Sequence, residues 1–364
     1  MPIIWRYLLR SYFQVLLLCV STFISVLIVL RFQEIAQFAT SGAPKLTILL
    51  FALLQIPYIL PIAIPVSCLI AAMLLFQRLS LSHELTALRT CGFGLKAIAT
   101  PLFFAGFFLT LINFTIASEL APRCRGMSKQ LVYEIASSNP LFLLQKESLL
   151  KLKNAYFDIG VLRAGKYAED VLIAIKNSSN EKITLMSAKE LTLKGDLLKG
   201  EKVTFISSAD SKKEEGFDHL IIENQAEMNT KAANLSQFIQ TVDWSTSFDY
   251  MPLRTILAHE IAVKNQLTLS KGAKIEVARR ISISLAAFTF TMMGVAFGMK
   301  ISRNRSKKGI VWAITLGALF LVCFISAKSF RQTPMIATAI YLLPHPLIIL
   351  LSLKFLKSIR RGVE

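Results

Sequence analysis

Residues 46–77 decide the fold: they read LTILLFALLQIPYILPIAIPVSCLIAAMLLFQ and contain no charged side chain. A helix needs about 20 apolar residues to cross the hydrocarbon core of a membrane, where it satisfies its own backbone hydrogen bonds. This run is longer than one straight crossing requires, and Pro57, Pro61 and Pro65 each remove a backbone donor inside it. We therefore expect a membrane span that is kinked or partly re-entrant.

Five further uncharged runs lie along the chain, at residues 11–30, 97–118, 281–299, 309–327 and 332–353. Apolar blocks of this length, in a chain that is 54% hydrophobic, are not typical of a soluble globular protein. They predict an α-helical polytopic membrane protein with six transmembrane helices. The first run, which follows Arg6 and Arg10, also fits a signal peptide with a weak cleavage site near Ser41, but its length favours a retained helix.

Basic residues flank these runs unevenly. Lys and Arg in short loops accumulate on the cytoplasmic side of a membrane. With the N-terminus in the cytoplasm, fourteen basic residues lie on that side: Arg6, Arg10, Arg78, Arg89, Lys96, Lys300, Arg303, Arg305, Lys307, Lys308, Lys354, Lys357, Arg360 and Arg361. The opposite short loops hold four: Arg31, Lys45, Lys328 and Arg331. This asymmetry predicts that the N- and C-termini of a multi-pass protein are both cytoplasmic.

The long segment 119–280 then lies on the far side of the membrane. Its 23 basic and 20 acidic residues leave it a net charge of only +3, so most of the chain's +18 belongs to the membrane flanks. Anionic lipid explains that distribution better than nucleic acid does. Cys124 is the single cysteine of this segment, which rules out a disulfide within it.

The pattern inside this segment changes twice. A helical pattern continues from the third span over residues 119–147, with Pro140 marking its end. Short β-like runs follow at 155–161, 171–175, 182–187, 191–193, 203–207 and 220–223. We expect a small β-sandwich or jelly roll. After Trp244 a helical pattern returns, with Pro252 at its first turn and apolar Leu253, Ile256, Leu257 and Ile261 on one face.

The predicted organisation is three transmembrane helices in residues 1–118, a β-jellyroll-like domain with helical connections in 119–280, and three more transmembrane helices in 281–364. Signs of catalysis are weak. Gly195 and Gly200 have the outer spacing of a phosphate loop, but Glu201 stands where Lys is required. His259 and Glu260 lack the second histidine of a zinc protease helix, so we expect no active site, no metal and no cofactor.

A short amphipathic helix is predicted in the loop 77–92, between the second and third spans. Leu81, Leu85 and Leu88 share one helical face, Ser82 can cap the helix, and Gly92 can stop it. Such a helix either lies on the membrane surface or docks a soluble partner.

Within that loop, Arg78-Leu-Ser, Glu84-Leu85, Ala87-Leu88-Arg89 and Gly92 resemble the coupling-helix signature of the LptF/LptG permeases of the lipopolysaccharide transporter. The plan of three spans, a β domain and three spans is also similar, so the resemblance covers essentially the whole chain. Glu276 and Arg280 resemble the family's approach to span four, while Ser284 stands where many members have Pro. Residues 138–145 resemble the F-type subunit more than the G-type.

The resemblance implies a function. Two such permeases form a cavity in the inner membrane, a pair of cytoplasmic ATPase subunits drives its closure, and extracted lipopolysaccharide passes through β-jellyroll domains to a periplasmic bridge. ATP is then bound by a separate subunit, so this chain is not an enzyme. The residues implied in ATPase coupling are Arg78, Ser82, Glu84, Leu85, Leu88 and Arg89.

The resemblance also implies contacts with the substrate's phosphates through Arg31 and Lys328, with Arg331 beside them. The alternative for these residues is plain anchoring at the lipid headgroups. Gly294 and Gly298 form a face of small residues on span four, which favours packing within this chain over contact with a second permease.

Two other functions compete with lipopolysaccharide export. One is the permease of another lipid or lipoprotein exporter. The other is a membrane receptor with a periplasmic sensor domain, which the short cytoplasmic segments disfavour because a receptor needs a cytoplasmic output domain.

Overall fold

The computed structural model describes residues 3–40, 44–138, 155–163, 167–176, 183–194, 197–209, 219–231, 248–264, 270–299, 308–330 and 332–360. The chain divides into two compact units. One contains Met1–Leu30, Leu54–Gly126 and Ser247–Glu364, and the other contains Arg31–Leu53 and Met127–Thr246.

The helices before the sheet are α1 (Ile3–Leu30), α2 (Phe32–Thr40), α3 (Lys45–Leu81), α4 (Glu84–Thr90), α5 (Leu95–Thr115) and α6 (Ala121–Ser138), with a π-helical turn at Ile116–Leu120. After the sheet come a 3₁₀ turn at Phe248–Tyr250 and helices α7 (Leu253–Lys264), α8 (Lys271–Gly298), α9 (Lys308–Ala327), α10 (Pro334–Leu342) and α11 (Pro344–Arg360).

Six helical segments of the described chain are long and apolar enough to cross a membrane: Ile3–Leu30, Lys45–Leu81, Leu95–Val132, Lys271–Gly298, Gly309–Ala327 and Pro334–Ile359. The predicted number and order of spans are confirmed. Two details differ. The fourth span belongs to a helix that already begins at Lys271, and the sixth is divided at Leu343, because Pro344 has no N–H to continue the hydrogen-bond ladder.

The second span is one continuous helix, so the re-entrant alternative was wrong. At one of its three prolines, another helix supplies the missing donor. Pro65 leaves the carbonyl of Pro61 without its helical partner, and Nδ2 of buried Asn113 on α5 donates to that carbonyl at 3.2 Å. The same Nδ2 lies 3.1 Å from the carbonyl of Ile283 on α8, so Asn113 joins three helices.

Helix α8 lies at the centre of the helical unit. All of its residues from 289 to 298 are buried, and it packs against α5, α9, α10 and α11. Gly294 and Gly298 bring it close to α3: a Cβ at Gly294 would stand 2.6 Å from the carbonyl oxygen of Leu69, and one at Gly298 3.0 Å from Cα of Met73. The prediction that these glycines pack within the chain is confirmed.

The described strands are β1 (Ala155–Arg163), β2 (Tyr167–Lys176), β3 (Ile183–Lys194), β4 (Leu197–Ala209) and β5 (His219–Lys231). They form one antiparallel sheet in the order β1-β2-β3-β4-β5, in which consecutive strands pair. A sandwich or jelly roll requires a second sheet, which is not among the described strands.

Strand β3 unites two runs that the sequence pattern separates, 182–187 and 191–193. The buried positions change phase within it, from Met186 and Ala188 to Leu191. At the same level, Asp170 on β2 and Lys202 on β4 have positive φ angles of 49° and 52°. The irregularity therefore runs across three strands, and it breaks the alternation from which one long strand could have been predicted.

Candidate functional site

The turn between α3 and α5 carries the predicted coupling residues. Helix α3 continues through Arg78 to Leu81, and α4 begins at Glu84 after His83, whose φ of 59° is left-handed. Leu85 is 1% exposed and half-buried Leu88 packs on the same apolar cluster, as predicted. The prediction for Leu81 was wrong: it ends α3 instead of joining the buried face of α4, and it is 70% exposed.

Of the two predicted ends of α4, the cap by Ser82 is absent and the stop at Gly92 is present. Ser82 does not cap the helix, because the residue at the N-cap is His83 and it makes no side-chain capping bond. Gly92 does stop the helix. Its φ is 87°, its N–H donates to the carbonyl of Arg89 at 3.0 Å, and the N–H of Phe93 donates to the carbonyl of Leu88 at 3.1 Å.

Glu84 is the best-defined side chain of this turn. Its Oε2 accepts a hydrogen bond from the hydroxyl of Tyr7 on α1 at 2.9 Å. Its Oε1 lies 3.0 Å from Oγ of Ser82, which also lies 2.9 Å from the carbonyl of Arg78. Arg78 is exposed and Arg89 is half-buried, so a carboxylate and two guanidinium groups lie around the buried Leu85. This mixture of one anchored leucine and exposed charge suits docking of a soluble protein.

The basic residues predicted at the other ends of the spans have separate environments. Arg31, between α1 and α2, forms an ion pair with Glu34 at 2.5 Å, and the two side chains are 36% and 33% exposed. Lys328 follows α9 and is exposed. Arg331 lies outside the described residues. Arg31 and Lys328 belong to different units.

A buried ionic cluster, for which the sequence suggested only a family likeness, is centred on Arg280 of α8. Arg280 is 1% exposed, and its Nε donates to Oε1 of Glu276 at 2.7 Å. Glu276 also accepts two hydrogen bonds from Arg279, at 2.8 and 2.6 Å. Burial of so much charge is tolerated only when the groups are paired and hydrogen-bonded.

Arg280 also holds the backbone of two other segments. Its Nη1 donates to the carbonyl of Ser118 at 3.1 Å, and its Nη2 donates to the carbonyls of Phe248 and Met251 at 3.0 and 2.8 Å. Ser118 lies in the π-helical turn, four residues before Pro122, which has no N–H to offer that carbonyl. Arg280 therefore supplies a donor where the proline cannot.

Next to this cluster, the guanidinium of Arg125 lies between two aromatic rings, 4.7 Å from the centroid of Tyr58 and 4.6 Å from that of Tyr250. It lines a cavity of about 70 Å³ together with Asp249 and Arg279. Burial alone would raise the pKa of Asp249. Attraction by Arg279, a hydrogen bond with Glu276 and attraction by Arg125 and Lys328 together outweigh burial, so this pKa lies below its usual value. The Asp249 carboxylate therefore stays ionised at neutral pH.

The described residues contain no group of three His, Cys, Asp or Glu side chains that could hold a metal. His345 on α11 instead lies 3.0 Å from Oγ of Ser282 and 3.3 Å from Oγ1 of Thr289, both on α8. Cys19, Cys68, Cys91, Cys124 and Cys323 are all free thiols.

Six membrane-spanning segments with a sheet inserted after the third define a multi-pass membrane protein. The profile of the family described as "Lipopolysaccharide export system permease LptF/LptG" matches residues 6–358. The chain belongs to this family of transporter permeases. Comparison with curated proteins finds no match. The family profile does not distinguish F-type from G-type subunits, and residues 139–145, which suggested the F-type, lie outside the described residues.

Proposed function

We propose that this chain is the permease subunit of an ATP-driven transporter that extracts lipopolysaccharide from the inner membrane and passes it to a periplasmic bridge. The observation that carries the proposal is the family match over residues 6–358, joined to the chain order of three spans, a sheet and three spans. A receptor function finds no comparable support, because the described cytoplasmic turn between α3 and α5 is short.

ATP is bound and hydrolysed by separate cytoplasmic subunits in this proposal. Support comes from the sequence, where Gly195 and Gly200 have phosphate-loop spacing but are followed by Glu201 instead of Lys. Gly160 and Gly165 have the same spacing and are followed by Lys166, but Tyr167 then stands where a phosphate loop has Ser or Thr. The coupling residues are then Arg78, Ser82, Glu84, Leu85, Leu88 and Arg89. Leu85 anchors α4 to the helical unit, while Glu84 and Arg78 remain available to a partner.

The membrane orientation follows the charge asymmetry of the sequence. Both termini and the α3–α5 turn are cytoplasmic, and residues 119–280 form a periplasmic β-jellyroll-like domain that delivers substrate to bridge proteins of similar fold. A second permease of the same family completes the cavity. These assignments rest on the sequence and the family, whose transporters combine such parts.

Substrate phosphates meet basic residues at the periplasmic ends of the spans. Lys328 is the better supported of the predicted phosphate contacts. Its side chain is exposed, and Asp249, the acidic group that it attracts, also interacts with Arg279 and Arg125. Arg31 is a weaker candidate because Glu34 neutralises part of its charge. Arg331 stays a candidate on the basis of the sequence.

A pull-down tests the proposal directly. The full chain is purified from native membranes in mild detergent, and the bound proteins are identified by mass spectrometry. We expect a cytoplasmic ATPase and a second permease of this family, and ATP-dependent release of bound lipopolysaccharide from the complex. Recovery of a signalling kinase or a lipoprotein exporter's components instead would contradict the assignment.

A further inference from the structure

Tyr7 and Glu84 are 77 positions apart in the sequence, yet the tyrosine hydroxyl lies 2.9 Å from the glutamate Oε2. Tyr7 stands near the start of α1, and Glu84 is the first residue of α4. Oγ of Ser82 lies 3.0 Å from the other carboxylate oxygen and 2.9 Å from the carbonyl of Arg78, so its single proton is shared between these two acceptors. The orientation of this carboxylate is therefore set by two different elements.

Helix α4 depends on such contacts for its orientation. It has only seven residues, too few for a helix to be stable on its own in water. Leu85 and Leu88 of α4 share an apolar cluster with Ile4 and Leu8 of α1. The hydrogen bond from Tyr7 to Glu84 adds a directional contact beside this apolar cluster.

The hydroxyl groups of Tyr7 and Ser82 do not neutralise the negative charge of Glu84. Hydroxyl donors are neutral, and none of the basic side chains that the structure describes forms an ion pair with Glu84. A carboxylate has about four acceptor sites, of which Tyr7 and Ser82 use two at most. The remaining sites can accept hydrogen bonds from a cationic group of a docking protein.

We propose that Tyr7 is a positioning residue, which holds the Glu84 carboxylate ready for the cytoplasmic ATPase and so ties α1 directly to the docking surface. This inference rests on the proposed function, because it takes α4 as the docking helix. It adds a residue from the first span to a site that the sequence confines to the turn before the third. Through the hydrogen bond from Tyr7, the docking carboxylate is connected to α1, a helix that is continuous from Ile3 to Leu30.

The test is a double-mutant cycle on the full-length protein in detergent. The affinity of the co-purifying ATPase subunit is measured for the unsubstituted chain, Tyr7→Phe, Glu84→Ala and the double variant. Loss of one partly exposed hydrogen bond should weaken binding by about two- to fivefold in Tyr7→Phe, and loss of the carboxylate should weaken it further. If Tyr7 acts through Glu84, the double variant binds as Glu84→Ala does.

Tyr12→Phe is the matched control. It removes the same atom from the same helix, but the Tyr12 hydroxyl is buried and lies 3.4 Å from Oγ1 of Thr291, remote from Glu84 in its contacts. ATPase affinity should be unchanged in this variant. A second measurement separates positioning from damage to the fold: Tyr7→Phe should still elute as a monodisperse peak in gel filtration and melt close to the unsubstituted chain in detergent, so that its lower ATPase affinity is not due to unfolding.

The outcomes distinguish the two proposals. If Glu84→Ala weakens binding and Tyr7→Phe does not, the positioning role is wrong while the docking role of α4 stands. If the effects of the two substitutions multiply in the double variant, Tyr7 does not act through Glu84, and the inference is equally wrong. If Glu84→Ala itself leaves binding unchanged, the docking surface and the positioning role both fail.

Discussion

Arg280 is the residue on which the ionic cluster depends. Replacing it with Ala would leave Glu276 buried with Arg279 alone and would remove donors from three backbone carbonyls. Loss of one of the two guanidinium partners of a buried carboxylate, together with the donors to buried carbonyls, should cost about 3–5 kcal/mol, because the charge of Glu276 is then only partly compensated. We expect a markedly lower melting temperature in detergent, measured by intrinsic fluorescence.

Two variants check the cause of that loss. Arg279→Ala removes the more exposed partner of the same glutamate, 31% exposed against 1%, and should cost less. Adding Glu276→Gln to Arg280→Ala should recover part of the stability, since the orphaned group is then neutral. A double variant no more stable than Arg280→Ala would show that the carbonyl contacts, not the charge pair, carry the effect.

Lys328 permits a test of substrate binding at a single exposed residue. Lys328→Glu replaces attraction of a phosphate with repulsion, but screening at an exposed site limits the effect to a moderate, severalfold loss. The measurement is photocrosslinking of lipopolysaccharide to the purified permease complex. Lys357→Glu, an exposed reversal at the predicted cytoplasmic end, should leave crosslinking intact. Equal losses in both variants would point to total charge instead of position.

The sequence could single out Glu276 and Arg280 through family likeness, but not their role. The carbonyl partners of Arg280 lie 162, 32 and 29 positions away, and backbone atoms leave no signature in a sequence. Tyr7 was missed for a related reason. It lies between Arg6 and Arg10, just before the apolar run 11–30, and nothing local marks its hydroxyl as the partner of Glu84.

At the scale of elements, α8 approaches α3 closely at Gly294 and Gly298. A methyl group at Gly294 would stand 2.6 Å from the backbone oxygen of Leu69, and backbone cannot rotate away as a side chain can. Gly294→Ala should therefore push the helices apart and cost about 1–3 kcal/mol, seen as a lower melting temperature. Gly126→Ala on α6 meets nothing within 4 Å and should instead stabilise by about 0.5–1 kcal/mol.

That pair of glycine substitutions also separates packing from helix propensity. Both place the same residue in a helix, so intrinsic propensity favours both changes. Opposite signs are expected only if close approach decides the outcome at Gly294. If both variants gain stability, α3 and α8 are not in close contact at this point.

Helix existence was predictable here, and helix continuity was not. The prolines of α3 favour a break when the sequence is considered locally. The compensating donor, Asn113, lies 52 positions from the carbonyl that it satisfies. Strand β3 presents the same difficulty, because its phase change at the level of Asp170 and Lys202 is a property of three paired strands and not of one segment.

At the scale of the whole molecule, the sequence predicts the number and order of the spans better than it predicts residue contacts or the continuity of helices. Long apolar runs and their order decide the spans directly, since a membrane rejects unpaired backbone and charge. The sheet was predictable as a β region, but a sandwich or jelly roll could not be distinguished from the observed meander. Alternating patterns show which residues share a face, whereas the pairing order depends on contacts between strands.

Membrane orientation is the last whole-molecule prediction, and it follows from the fourteen basic residues set against four in short loops. In a variant lacking the native cysteines, a cysteine at position 210 should react with a membrane-impermeant thiol reagent added to spheroplasts, because residues 119–280 are predicted to be periplasmic. One at position 306 should react only in inverted vesicles. Variants that keep one native cysteine supply a control: Cys91, exposed in the turn after α4, should behave as position 306 does, whereas buried Cys68 should react from neither side. Labelling of Cys91 in intact spheroplasts would reverse the orientation, and it would place α4 beyond the reach of any cytoplasmic ATPase.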